Sequence, residues 1–211
     1  FYWGIGLAVG VVSALRPGSW FDHLVSVAVF AAMSFPTFFL CLLLIKWFAV
    51  DLHWLPVGGM TNTGSDESGW QYVLQVAAHL ALPVLVLAYY SLASITRLTR
   101  SACLSEMNKE YILLARAKGA GEMTILLRHV LPNIRGTLLT VTALAWTSML
   151  EGAVLTETVF SWPGIGRYLT TALFAGDTTA IMGGTLLIGV SFVLINNLTD
   201  LLVRLTDPRV R

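Results

Sequence analysis

Charge is what this sequence is short of. Asp, Glu, Lys and Arg make up only 12% of its 211 residues, against about 25% in ordinary soluble domains. A disordered chain is rich in charge and poor in apolar residues, so disorder is excluded. Cysteine is scarce as well. Cys41 and Cys103 are the two present, and Cys41 sits inside an apolar run, which argues against a disulfide scaffold. The net charge of +1 gives no basic footprint for nucleic acid. No G-x-x-x-x-G-K-[ST] loop occurs, and Lys118-Gly119 stand in the wrong order for one, so the chain itself is not expected to hydrolyse ATP. His23, His53, His79 and His129 are scattered, with no H-E-x-x-H and no Cys pair, so no metal site is expected. His53 and His79 read as structural. No Ser/His/Asp or Cys/His constellation stands out, and no catalytic residue is assigned.

What is present is hydrocarbon. Hydrophobic residues reach 56% and mean hydropathy is +0.74. The class these values leave is an integral membrane protein. The opening run FYWGIGLAVGVVSAL stops at Arg16, short of the roughly 20 residues a spanning helix needs. It has no basic leader and no small-residue cleavage site, so it reads as the tail of a helix whose N-terminal part is missing. Four fuller stretches follow, roughly 24–50, 72–95, 137–156 and 179–203. Each is long enough to cross a hydrocarbon core of about 30 Å as a helix. Helices satisfy every backbone group internally, and the alternating pattern of a membrane β-barrel is absent. The expected fold is therefore all-α, a polytopic helix bundle.

Charge placement orients it. With alternating spans, one side receives Arg16, the segment Arg97 to Arg135 and the tail after Val203. That side holds 11 of the 13 basic residues. The other side holds Lys46 and Arg167, with Asp51, Asp66, Glu67, Glu157 and Asp177. The positive-inside rule makes the first side cytoplasmic and leaves the C-terminus there. Trp20, Trp47, Trp54, Trp70, Tyr72, Trp162 and Tyr168 fall near the boundaries, either as interfacial anchors or as core aromatics.

The segment 98–135, LTRSACLSEMNKEYILLARAKGAGEMTILLRHVLPNIR, is too polar to span. Met107 to Lys118 carries helix formers without Pro or Gly. Tyr111, Leu114, Ala115 and Lys118 share one helix face. Gly119, Ala120 and Gly121 then break the helix. A second short helix, Met123 to Val130, leads to Leu131-Pro132. Two short helices with a glycine turn thus lie on the cytoplasmic face.

These residues resemble the "EAA" loop of ATP-binding-cassette importer permeases. Leu113-Leu114-Ala115 occupies the E-A-A place. Three residues separate Ala115 from Gly119, and nine separate Gly119 from the His129-Val130-Leu131-Pro132 that stands for I-x-L-P. Leu113, Leu114 and His129 depart from the pattern. The wording EYILLARAKGAGEMTILLRHVLPN is similar to the dipeptide/oligopeptide/nickel branch, as are EGAVLTETVFSWPGIGRYL, from Glu151, and the ending NNLTDLLVRLTDPRVR.

The resemblance implies one permease domain over 1–211, partial at its N-terminus, of the type I importer kind, in a bacterial inner membrane. It implies a coupling loop at about 98–135 that docks on ATP-hydrolysing subunits. Tyr111, Leu114, Ala115, Arg116, Lys118, Gly119, Leu131 and Pro132 are then the coupling residues, with Arg116 and Lys118 facing either acidic partner groups or solvent. The implied partners are two ATP-binding cassette subunits, a second and different permease, an extracytoplasmic solute-binding protein and the lipid bilayer. ATP and Mg would be bound by those subunits, and no cofactor by this chain. Substrates of the branch are peptides, nickel or related small solutes, and a permeating metal needs no resident site.

Other features stay open. Glu151, inside the third full span, faces either the pathway or a helix interface. Trp162 is a further pathway or interface candidate. Gly164-Ile165-Gly166 reads as an outer turn with Pro163 fixing φ. Asp200 pairs with Arg204 one turn later. Pro36 and Pro83 kink their spans. Two readings compete with the permease. An ion-gradient-driven secondary transporter often carries paired buried acids at broken helices, and only Glu151 lies deep here. A non-transporting membrane scaffold would have no use for the glycine-punctuated loop.

Overall fold

The computed structural model of the chain describes residues 2–62, 64 and 68–206, with the side chains at 147, 148, 150–152 and 206 outside that description. Among the described residues the chain is helical and has no strand. In order come α1 (Tyr2–Leu15), α2 (Trp20–Ser34), α3 (Thr37–Leu44, continued by a π turn Ile45–Asp51) and α4 (Trp70–Met107). The short helices α5 (Glu110–Ala117) and α6 (Glu122–Ile125) follow. A π turn, Leu126–Val130, joins α6 to α7 (Leu131–Val159). Last are α8 (Ile165–Ala175) and α9 (Thr178–Thr206).

Three expected boundaries move. The stretch 24–50 is two helices, because the chain leaves helical geometry at Phe35-Pro36. Pro36 is extended, at φ −60° and ψ 136°, and a proline disfavours helix in the residue before it. The span placed at 72–95 runs on to Met107, 38 residues in all, straight through Pro83. Its polar end stays helical because Thr99, Cys103 and Met107 form a buried stripe at i, i+4 and i+8. The helix expected over 107–118 therefore starts only at Glu110. Among the described residues, α4 and α9 are each long and apolar enough to cross a membrane, and α2 with α3 passes only as a pair bent by 96°, a broken span or a re-entrant loop. At 29 residues, α7 is about 44 Å long, beyond what a crossing needs.

The chain divides into two compact units. The first comprises 1–33, 91–146 and 193–211, and the second 34–90 and 147–192. In the first, α1 buries Gly6, Gly10, Ser13 and Ala14 along one face. Their small size brings its backbone against Ile95, Thr96 and Thr99 of α4. Ile95, Val141 and Ala145 form one cluster with Trp3 and Leu7, where Trp3 Nε1–H donates to Thr142 Oγ1 at 2.9 Å.

Asp22 closes the α1–α2 turn. Ser19 Oγ accepts from the Asp22 backbone N–H at 3.2 Å. The Asp22 carboxylate reaches back to the Gly18 N–H at 2.9 Å, much as in a capping box. The same carboxylate takes both arms of Arg100, at 2.6 and 2.7 Å, and the Ser13 hydroxyl. Asp22 is buried, so this bidentate pair ties α1, α2 and α4 together.

In the second unit, Cys41, Leu82, Val86 and Phe160 make the core. The Gly59 N–H donates to the Phe160 carbonyl at 2.8 Å. Asp177 caps α9, its carboxylate accepting from the Ala180 N–H at 3.0 Å. Asp200 and Arg204 are both exposed, and among the described residues no ion pair joins them, contrary to the expectation.

Candidate functional site

The segment between α4 and α7 is built as an elbow. Helix α4 stops at Met107, and Lys109 turns extended at φ −77° and ψ 149°. Lys109 Nζ sits 2.6 Å from the buried Glu106 carboxylate. Glu110 then opens α5 and Arg116 lies in its last turn. Each places charge where the helix dipole favours it.

The end of α5 is a Schellman cap. The Gly119 N–H donates to the Arg116 carbonyl at 2.9 Å, and the Ala120 N–H to the Ala115 carbonyl at 3.1 Å. Gly119 sits at φ +84°, where an L-residue is strained by about 1–2 kcal/mol. Nothing lies within 4 Å of where its Cβ would be. The glycine therefore serves the backbone turn and leaves the space around it open.

Arg116 then spans the turn. Its Nε and Nη2 meet both oxygens of Glu122 at 3.0 and 3.1 Å. Arg116 is thus already engaged within the chain, which the sequence-based expectation of an acidic partner group did not foresee. Both groups are exposed, so the pair contributes only about 0–1 kcal/mol. Lys118 is exposed and has no ion pair among the described residues.

One face of the elbow is anchored and the other bare. Ile112, Ile125, Leu126, Val130 and Ile134 are buried with Ala14, Cys103 and Met107, and Ala115, Ala120 and Leu131 pack against them. The Tyr111 hydroxyl contacts Glu106 and accepts from Asn133 Nδ2 at 3.1 Å, joining α5 to the end of α4 and the start of α7. On the bare side Leu113 and Leu114 are each 56% exposed, Met123 60% and Leu127 58%. Leu113 and Leu114 lie on α5, Met123 on α6 and Leu127 in the π turn that follows.

No break separates α6 from α7. The π turn runs directly into Leu131, whose N–H reaches the Leu126 carbonyl. Pro132 has no N–H and its ring crowds the carbonyl four residues back. A five-residue turn just before it widens the helix and accommodates the ring. Pro132 itself is exposed.

Of the coupling residues expected from sequence, Tyr111, Leu114, Ala115, Arg116, Lys118 and Gly119 lie in the elbow, while Leu131 and Pro132 open α7. The elbow does not include Trp162, which lies in the second unit, half-buried, its backbone N–H donating to the Glu157 carbonyl at 2.9 Å. The Glu151 side chain lies outside the described residues, as do Asp66, Glu67, Arg209 and Arg211. Glu106, Asn133 and Asp22 were not singled out from sequence. Ser19-x-x-Asp22 was a readable capping signal, whereas Glu106 and Asn133 carried none.

The family described as binding-protein-dependent transport system inner membrane component matches residues 6–211. The chain belongs to this family. It is 40% identical, over 98% of its length, to the di/tripeptide transport system permease protein DppB of Pseudomonas aeruginosa (strain UCBPP-PA14), covering 66% of that protein. It is 36% identical, over 100% of its length, to the dipeptide transport system permease protein DppB of Escherichia coli (strain K12), covering 67% of it. The chain thus spans about two-thirds of the length of these curated relatives. A chain of the inward-facing methionine ABC transporter MetNI superposes with a TM-score of 0.74 at 21% identity, covering 98% of this chain and 88% of that one. The fold is accordingly the all-α helix bundle of a type I importer permease, and the chain is a multi-pass membrane component of a transport system.

Proposed function

We propose that this chain is the membrane-spanning permease subunit of an ATP-driven importer of short peptides, and that the α5–α6 elbow is where separate ATPase subunits grip it. The observation that carries the reading is the two-sided elbow. Its buried face ties it to α1, α4 and α7, and its bare face presents Leu113, Leu114, Met123 and Leu127. A load placed on that face passes into the ends of two long helices through Tyr111, Glu106 and Asn133. The peptide class is supported by the printed names of the relatives, which are di- and tripeptide permeases.

In this reading the elbow and the C-terminus are cytoplasmic, as the positive-inside rule requires. The whole chain is one permease domain, with the coupling loop at about 98–135. The working assembly is two ATPase subunits, a second permease and an extracytoplasmic solute-binding protein. ATP and Mg sit on the ATPase subunits, and Glu151 and Trp162 belong to the pathway or to a helix interface.

The experiment is uptake of a labelled dipeptide into proteoliposomes holding the assembled transporter and its binding protein. Uptake should require ATP and survive an ionophore that collapses ion gradients. Uptake that persists without ATP and stops with the ionophore would overturn the reading in favour of a secondary transporter.

A further inference from the structure

The second unit contains a cavity of about 720 Å³ between the first turns of α4 and the segment 49–62 that precedes it. That volume lies within the roughly 300–1,000 Å³ of small-molecule sites. On the α4 side it is lined by Gln71, Gln75 and His79, a line at i, i+4 and i+8 on one helix face. The line descends from solvent into the protein: Gln71 is exposed, while Gln75 and His79 are buried. Three hydrogen-bonding side chains in a row are out of place in a span that must otherwise be apolar, and such groups mark pathways rather than lipid faces. The segment before α4 contributes His53, Trp54 and Asn62 to the same lining. His53 holds a left-handed backbone, φ +53°, of a kind that concentrates at functional sites.

The chemistry of this wall is amide chemistry. A primary amide offers two N–H donors and two acceptor lone pairs, so one existing partner does not exhaust it. It presents donor and acceptor side by side, as an extended peptide residue does along one edge. His79 Nδ1 lies 2.8 Å from the Gln75 carbonyl. A carbonyl oxygen only accepts, so Nδ1 is the donor in this contact. Trp54 adds an exposed apolar ring at the rim.

We propose that this cavity, on the outer side, is a binding site for the main-chain amides of a short peptide, with Gln71 and Gln75 pairing to one peptide residue and Trp54 covering its side chain. The proposal rests on the peptide-importer reading and assigns the place where substrate first meets this chain. Recognition through main-chain amides is indifferent to the peptide's side chains.

The test uses the assembled transporter in nanodiscs without its binding protein. Leu74→Cys places a thiol on the cavity wall. The native Cys41 and Cys103 are both buried, so a membrane-impermeant maleimide reports on position 74. Trialanine should slow labelling at least fivefold. Its analogue with an ester in place of the first of its two amides should need about tenfold more for equal protection. Adding Gln71→Leu, an exposed and fold-neutral change, should raise the half-protecting trialanine concentration by about tenfold, the effect of one hydrogen bond or slightly more. Labelling indifferent to trialanine, equal protection by the ester, or unchanged protection in Gln71→Leu each overturns the site. ATP-dependent trialanine uptake by the unaltered transporter is scored separately. Uptake without protection sinks the cavity proposal alone, and absence of uptake sinks the importer reading with it.

Discussion

The elbow between α5 and α6 and the hairpin between α7 and α8 both turn on glycines, but for different physical reasons. At the elbow, Gly119 is required by its φ of +84°, and the space around it is empty. At the hairpin, a Cβ on Gly166 would lie 2.4 Å from Val154 Cα, so the backbones of α7 and α8 themselves exclude any side chain. The Glu157 carboxylate fills what remains, accepting from the Gly166 and Arg167 N–H groups at 2.7 and 3.1 Å and meeting the positive end of α8. The hairpin is closed on its own chain. The elbow is closed on one face only, with leucines and a methionine on the other. In the proposed function, that uncovered side is where a separate subunit would dock.

That contrast can be broken by substitution, with thermal unfolding in detergent as the measure of stability and co-purified ATPase as the measure of docking. The largest stability loss is expected from Asp22→Ala, which strips Arg100 of its bidentate partner and costs about 3 kcal/mol, the low end for a buried pair because Arg100 is partly exposed. An unfolding midpoint unchanged from the wild type would show that the Asp22 cluster is not an anchor.

Next comes Gly166→Leu, which drives a side chain into the α7 backbone. Overpacking of this kind costs roughly 1–3 kcal/mol, and ATPase binding per folded molecule should not change. Gly119→Ala should cost about 1–2 kcal/mol, with Gly119→Asn milder because asparagine tolerates the left-handed region. Here docking should weaken more than stability does, the reverse of Gly166→Leu. If both glycine variants lose stability and docking in parallel, the proposed division of labour fails. The smallest effect is expected from Arg116→Ala, within about 1 kcal/mol and reduced by salt. A larger loss would mean that the pair with Glu122 sets the angle between α5 and α6.

Much of this contrast was legible in the sequence, for local reasons. Gly119 and the helix before it follow from a run of helix formers ended by glycine, whereas the spacing that groups Tyr111, Leu114, Ala115 and Lys118 does not show that Ala115 packs on the buried cluster while Leu114 is exposed. The break at Pro36 was visible as a proline, but proline alone does not say whether a helix bends or stops. The end of α4 was misplaced because hydropathy falls after Ile95, whereas the helix persists as long as Thr99, Cys103 and Met107 have something to pack on. Arg100 finds Asp22 from 78 residues away, and Asn133 finds Tyr111 from 22. No local pattern encodes such pairs. The spacing also gave no hint that Arg116 would be spent on Glu122. The hairpin read as a plain turn because the closeness of α7 and α8 at Gly166 is a property of packing.

The most direct measurement is ATPase co-purification with the double variant Leu113→Glu, Leu114→Glu. Both side chains are exposed, so the unfolding midpoint should stay within the small range of surface changes, about 0.5 kcal/mol in stability. Retained folding with loss of at least nine-tenths of the bound ATPase subunit is the predicted result. A fully folded double variant that carries the wild-type amount of ATPase would contradict the account, because the bare face of the elbow would then not be where the motor holds.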